Sequence, residues 1–313
     1  MHDRPQPASD PAIRPRRGPS HGIRSRGSRI ALAVAAAAVL SASLVVAATP
    51  PRASAVDVFG ALRDRGEPAF IVGHRGDRAE APENTMPALE AGLDGPMAFI
   101  ETDVRLSRDG VPVLIHDGDL ERVAGRPGRV ADATAAELAS TDVGSWYSPA
   151  YAGVGVPQLD ELLEALAVRP HARALLELKG DWTAEQVRGI AAAVEEAGVR
   201  SQVVLQSFSL AAVESAQRAA PFLPRILLMR ELPADPTRIA ERYGVIAIAT
   251  TAKSVKRAPG AVELLHEAGV GVLTYTLNSE DTWEVVRALG VDGIITDRPS
   301  DLDEWIAETA PGT

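Results

Sequence analysis

The sequence predicts a single (β/α)8 barrel, on three observations. Short apolar runs alternate with helical patterns from residue 69 onward, the runs number eight, and charged residues gather at their C-terminal ends. Alternating strands and helices make parallel βαβ units. Eight parallel strands close into a barrel. A chain of 313 residues with 46% hydrophobic content is long enough to bury one core of that size.

The N-terminus reads as a signal segment over residues 1–55. Seven arginines stand against two aspartates in the first 29 residues, a net +5. Ile30 to Ala48 is uncharged and dominated by Ala, Val and Leu, and Ala53-Ser54-Ala55 supplies an A-x-A cleavage signal. Export is therefore expected, with retention through an anchor helix at 30–48 as the alternative, since 19 uncharged residues just span a bilayer. Residues 56–67 read as a linker, 68–306 as the barrel and 307–313 as a tail.

Strands are expected at 69–76, 99–104, 172–179, 202–208, 225–229, 245–249, 271–277 and 292–297. Helical patterns such as 183–197, 209–219 and 261–268 lie between them. One further apolar run, 111–117, follows the second strand after only Ser107-Arg108-Asp109-Gly110. A link that short cannot make a parallel crossover, and Asp-Gly is a hairpin signal. The run is expected to fold back as a return arm and bring His116 near Glu101 and Asp103. Residues 118–160 contain no predicted strand and are rich in Gly and Pro. An interval that long is usually functional. It reads as a small insertion after the second strand, capping the barrel mouth with Trp146, Tyr147 and Tyr151.

Composition excludes some functions. The whole chain carries −10, so the part beyond residue 29 carries −15. An acidic body does not grip nucleic acid by counterion release. The chain has no cysteine, so a disulfide framework, a thiolate nucleophile and a Cys-ligated zinc are excluded.

Active sites of (β/α)8 barrels form at the C-terminal ends of the strands. There the sequence places Gly73-His74-Arg75-Gly76, Glu101-Thr102-Asp103, His116-Asp117 and Glu177-Leu178-Lys179. Glu101 and Asp103 are two apart and share a strand face, as do Glu177 and Lys179. Three carboxylates around one point repel each other unless a cation sits between them. Their hard oxygens suit one divalent cation, Ca2+ or Mg2+. His74 and His116 titrate near neutral pH and can act as general acid and base. Arg75 and Lys179 can hold phosphate oxygens. A lone strand-end histidine is more often structural than catalytic; the convergence of four strand ends singles these two out. His171, in a loop, and His266, in a helix, read as solvated.

These strings, in this order and spacing, resemble the glycerophosphodiester phosphodiesterase family. Pro82-Glu83-Asn84-Thr85, Arg108-Asp109-Gly110, Ser207-Phe208, Thr276-Leu277-Asn278 and Gly293-Ile294-Ile295-Thr296-Asp297-Arg298-Pro299 extend the match over roughly residues 68–306. The resemblance implies a barrel that hydrolyses glycerophosphodiesters to sn-glycerol 3-phosphate and an alcohol. It implies His74 and His116 as the acid–base pair and Glu101, Asp103 and Glu177 as metal ligands. Arg75 and Lys179 would contact phosphate. Glu83 and Asn84 match the signature in a role that could be structural, with Asn84 capping the helix that begins near Thr85. Two departures bear on the headgroup: Tyr275 stands where the family often has Trp, and the stretch after His116-Asp117 is less typical. The implied substrate is a small glycerophosphodiester. The alternatives are a lysophospholipid, a polyglycerophosphate wall polymer, or a catalytically silent surface-binding protein on the same fold.

Overall fold

A computed structural model describes residues 53–309. The expected signal segment up to residue 52, and with it the alternative of an anchor helix at 30–48, lie outside the described residues. So do the last four residues of the expected tail; its first three belong to a helix, Pro299–Thr309.

All eight expected strands form. They are β1 (Phe70–Gly73), β2 (Phe99–Leu106), β4 (Ala174–Leu178), β5 (Val203–Ser207), β6 (Arg225–Leu228), β7 (Ala247–Thr251), β8 (Gly271–Tyr275) and β9 (Gly293–Thr296), with the return arm β3 (Pro112–Leu114) between the second and third. Each barrel strand pairs in parallel with its neighbours, and β1 closes the barrel by pairing with both β9 and β2. The return arm pairs antiparallel with β2, Val104 opposite Leu114.

Period-2 alternation divides each strand between two cores. On β2, Phe99 faces the barrel interior with Val72, Leu175, Val204 and Ile295. Ile100 and Val104 face outward and pack under the helices. Glu101 and Asp103 therefore share the inward face of Phe99, one and two steps nearer the C-terminal mouth. The same step carries β4 from Leu175 to Glu177 and β5 from Val204 to Gln206. Register then aligns Asp103 with Glu177, and Glu177 with Gln206. The apolar floor and the polar mouth are thus two layers of one inward face.

The floor is closed by residues ahead of β1. Ser54 caps a short helix, Ala55–Phe59, through a capping box with Asp57. Phe59 packs against Phe70 and Phe99 at ring distances of 4.9 and 6.0 Å. The Arg173 guanidinium lies 4.2 Å over the Phe99 ring and donates to the Val58 carbonyl. Asp292 accepts from the Arg63 backbone N–H at 2.7 Å. Within the stretch expected as a linker, 56–67, Phe59 is part of the barrel's inner core and Val58 and Leu62 pack against it. Asp292 also corrects the reading of His266: its Nε2 lies 2.9 Å from the fully buried Asp292 Oδ2, so it is partly buried and paired rather than simply solvated. His171 is exposed, as expected.

The 118–160 insertion folds against the return arm around a small shared core of Val113, Leu120, Val123, Val130, Leu138, Val143 and Val156. Its aromatic side reaches back to the loop after β1. The Tyr147 hydroxyl donates to the Ala79 carbonyl and the Tyr151 hydroxyl to the Glu80 carbonyl at 2.9 Å.

Candidate active site

The loop after β1 is bent at two non-glycine residues in the left-handed region, Arg75 (φ 62°) and Asn84 (φ 55°). Strain of this kind gathers at functional sites. The two are joined, since the Asn84 N–H donates to the Arg75 carbonyl at 3.0 Å. Gly76 is required here: its φ is 82°, and a Cβ would lie 2.5 Å from the Ala88 carbonyl of the following helix. This close approach turns His74 and Arg75 over the mouth.

Glu101, Asp103 and Glu177 are brought together as expected, with one oxygen from each within 4.8 Å of the others, and all three are buried. Burial first, and the charges of Asp103 and Glu177 next, hold the Glu101 carboxyl well above its ordinary value. Burial would also raise Asp103, but Lys179 and Arg75 keep it below the usual range. Asp103 Oδ1 lies 2.7 Å from Lys179 Nζ but receives no well-angled hydrogen bond. Three converging buried carboxylates fit a hard divalent cation.

The expected phosphate contacts are already engaged by carboxylates. Lys179 Nζ lies 2.7 Å from both Asp103 and Glu177. Arg75 donates to Glu83 at 2.6 Å, with its Nε 3.3 Å from Asp103. Tyr275 donates its hydroxyl to the Met229 carbonyl and meets Phe208 edge-on at 5.6 Å, so its ring, not its hydroxyl, borders the mouth.

Each histidine carries an aspartate behind it. His74 Nδ1 lies 2.6 Å from Asp297 Oδ1, and His116 Nδ1 lies 2.8 Å from Asp117 Oδ1. A carboxylate only accepts, so each Nδ1 bears the proton and donates it. That leaves each Nε2 free for chemistry; the Nε2 of His74 lies 4.0 Å from Glu101. Burial lowers both histidines below the usual imidazole value, against the opposing pull of Asp297 on one and Asp103 on the other.

Asn84 does not cap its helix. Thr85 occupies that position without a side-chain capping bond, its hydroxyl donating to the Pro82 carbonyl at 2.6 Å. Instead Asn84 Nδ2 donates to Asp103 Oδ2 at 2.8 Å, and its Oδ1 accepts from Thr102 Oγ1 and the Asp103 N–H. The left-handed turn aims the side chain at β2 rather than along its own helix. Glu83 is a hub, accepting from Arg75 and Arg122 and forming an ion pair with Arg78 while almost fully buried.

Sequence reasoning assigned no role to Asp297, Asn278, Gln206 or Arg122. Asn278 Nδ2 donates to Asp297 Oδ2 at 2.8 Å. Gln206 Nε2 donates to Glu101 Oε1 at 3.3 Å. Closure was the available signal for Asp297. Pairing the last strand with the first sets Thr296 beside Gly73, and so places Asp297 beside His74.

Residues 74–301 match the glycerophosphoryl diester phosphodiesterase family. A glycerophosphodiester phosphodiesterase from Caldanaerobacter subterraneus subsp. tengcongensis is 29% identical over 239 residues, 74% of this chain and 96% of that protein. A crystal structure of the Agrobacterium tumefaciens glycerophosphodiester phosphodiesterase is 30% identical, with a TM-score of 0.65 over 75% of this chain and 98% of that one. An Oleispira antarctica phosphodiesterase, solved with the product sn-glycerol-3-phosphate, is 26% identical, with a TM-score of 0.67 over 76% of this chain and 96% of that one.

Proposed function

The chain belongs to the glycerophosphoryl diester phosphodiesterase family, and from that premise we propose that it hydrolyses small glycerophosphodiesters to sn-glycerol 3-phosphate and an alcohol, using His74 and His116 as the acid–base pair. The observation that carries this reading is the pair of His–Asp dyads flanking one buried carboxylate triad.

One imidazole enters neutral and takes the proton of the attacking hydroxyl at Nε2. That hydroxyl belongs to water, or to the glycerol 2-position, in which case a cyclic phosphate forms and water then opens it to sn-glycerol 3-phosphate in a second step. The other imidazole enters protonated and gives its proton to the departing alcohol oxygen as the P–O bond breaks. Asp297 and Asp117 hold the tautomer and stabilise the charged ring. Arg75, on its bent backbone, and Lys179 direct positive charge to where the phosphoryl oxygens sit. Glu101, Asp103 and Glu177 would hold one Ca2+ or Mg2+, which when bound offsets their repulsion and polarises a phosphoryl oxygen.

Asp297→Asn tests the dyad. Asp297 takes a hydrogen bond from Asn278 on one oxygen and from His74 and Arg78 on the other. An amide there must turn its NH2 toward one of these donors. Held by Asn278, it presents NH2 to His74 and favours the wrong tautomer. The expected result is a kcat lower by roughly 10²- to 10⁴-fold with KM little changed. An unchanged kcat excludes the dyad from catalysis.

A lysophospholipid is the second reading. Phe208 and Trp146 are each 42% exposed. Phe208 follows β5 and meets Tyr275 edge-on at the end of β8, an apolar border for the acyl chain carried on the glycerol of a lysophospholipid. An assay of glycerophosphocholine beside lysophosphatidylcholine decides between the two. Faster release of phosphorylated glycerol from the first supports the small diester; faster cleavage of the second assigns the lipid. The Arg-rich N-terminus followed by an apolar run supports export. N-terminal sequencing of protein recovered from the culture medium tests it.

A further inference from the structure

The two histidines are not braced alike. Asp297, behind His74, is fixed by Asn278 through two bonds: the side-chain donation and the Asp297 N–H to Asn278 Oδ1 at 2.9 Å. Arg78 Nη1 adds a third at 3.3 Å. Asp117, behind His116, lies on the return-arm side of the mouth, and its second oxygen meets one group, Nε of Arg122 at 2.6 Å. The rest of the Arg122 guanidinium grips Glu83 with both terminal nitrogens, at 2.6 and 3.1 Å. Glu83 is nearly fully buried and also holds Arg75 at 2.6 Å. Arg122 sits in the short helix Glu121–Ala124 of the insertion, 6.0 Å from the centre of the Trp146 ring.

We propose that Arg122 is a positioning residue for His116: its planar fork locks Asp117 to the Glu83 hub and so fixes the ring whose Nε2 does the chemistry. A guanidinium suits this task because it can serve two carboxylates at a fixed angle, one through Nε and one through both terminal nitrogens. The same bridge fastens the insertion to the loop that carries Arg75. The insertion thus supplies part of the catalytic frame and is more than a cover over it. This inference rests on the acid–base role given to His116.

Three enzymes are compared in the glycerophosphocholine assay: wild type, Arg122→Ala and Arg122→Lys. Arg122→Ala is expected to lower kcat by roughly 10- to 100-fold, the range for loss of a group that orients a catalytic ligand, with KM essentially unchanged. Arg122 is 44% exposed, so millimolar guanidinium chloride can reach the space left and is expected to restore activity to Arg122→Ala but not to His116→Ala. Arg122→Lys keeps a charge opposite Glu83 but cannot span both carboxylates, and is expected to stay impaired. If Arg122→Ala does not fold, Arg122→Lys carries the test through 15N shifts of His116, which should report loss of the single Nδ1–H tautomer. A raised KM with unchanged kcat would make Arg122 a substrate ligand and overturn the proposal. So would an active wild type beside an equally active Arg122→Ala, or an unaltered His116 tautomer in Arg122→Lys. A wild type inactive on all glycerophosphodiesters would instead overturn the functional reading on which the proposal stands.

Discussion

Alanine at His74 or at His116 is expected to lower kcat by roughly 10²- to 10⁴-fold, the usual contribution of a positioned acid or base, and to leave the thermal midpoint close to that of the wild type. The separation is expected from the hydrogen bonding. Removing the His74 ring leaves Asp297 still bonded to Asn278 and Arg78. Removing the His116 ring leaves Asp117 still bonded to Arg122. Neither aspartate is stranded, so the penalty for an unpaired buried charge does not arise. The His116 ring is also about a third open to solvent, so little packing is lost there. Steady-state kinetics together with a melting curve checks both halves. Near-normal turnover in either variant removes that histidine from the mechanism.

The second large effect concerns the triad. Glu101→Gln is expected to abolish cation binding and, with it, most of the turnover, while costing the cation-free protein little stability. In the cation-free protein Glu101 is a buried carboxylate facing two others, and burial and repulsion together hold its carboxyl well above the ordinary range. A neutral amide relieves that repulsion and keeps one oxygen to accept from Gln206 or from the Arg75 N–H. One lost hydrogen bond, about 1 kcal/mol, is set against the relief. A ligand that binds only the folded state raises the melting temperature by mass action. Melting curves with and without Ca2+ or Mg2+ should therefore show a rise for the wild type and none for Glu101→Gln. A full cation-induced rise in the variant would place the metal elsewhere.

Much of this site is legible from sequence because strands have a strict period of two. Once Phe99, Ile100 and Val104 are read as strand residues, Glu101 and Asp103 must share a face, and the parallel register does the rest. The return arm is equally legible, since Asp109-Gly110 leaves no room for a crossover. What escaped the reading depends on residues far apart in the chain. Asn84 looks like a helix cap by position, but a left-handed turn sends its amide 19 residues onward to Asp103. Asp297 and His74 are 223 residues apart and meet only because the barrel closes. His266 reads as a surface residue until Asp292 is placed beneath it. Ala53-Ser54-Ala55 carries two local signals at once: the A-x-A pattern of a cleavage site, and the Ser54–Asp57 spacing of a capping box, which the structure uses.

The central claim is that the buried triad and the two dyads work as one cation-dependent phosphodiesterase. The most direct test incubates the full chain with glycerophosphocholine and follows sn-glycerol 3-phosphate release, first alone, then with EDTA, then with Ca2+ or Mg2+ restored. Release that EDTA stops and one of the two cations restores is the predicted result. Release that continues unchanged in EDTA, with the histidine variants still inactive, would contradict the metal role given to Glu101, Asp103 and Glu177.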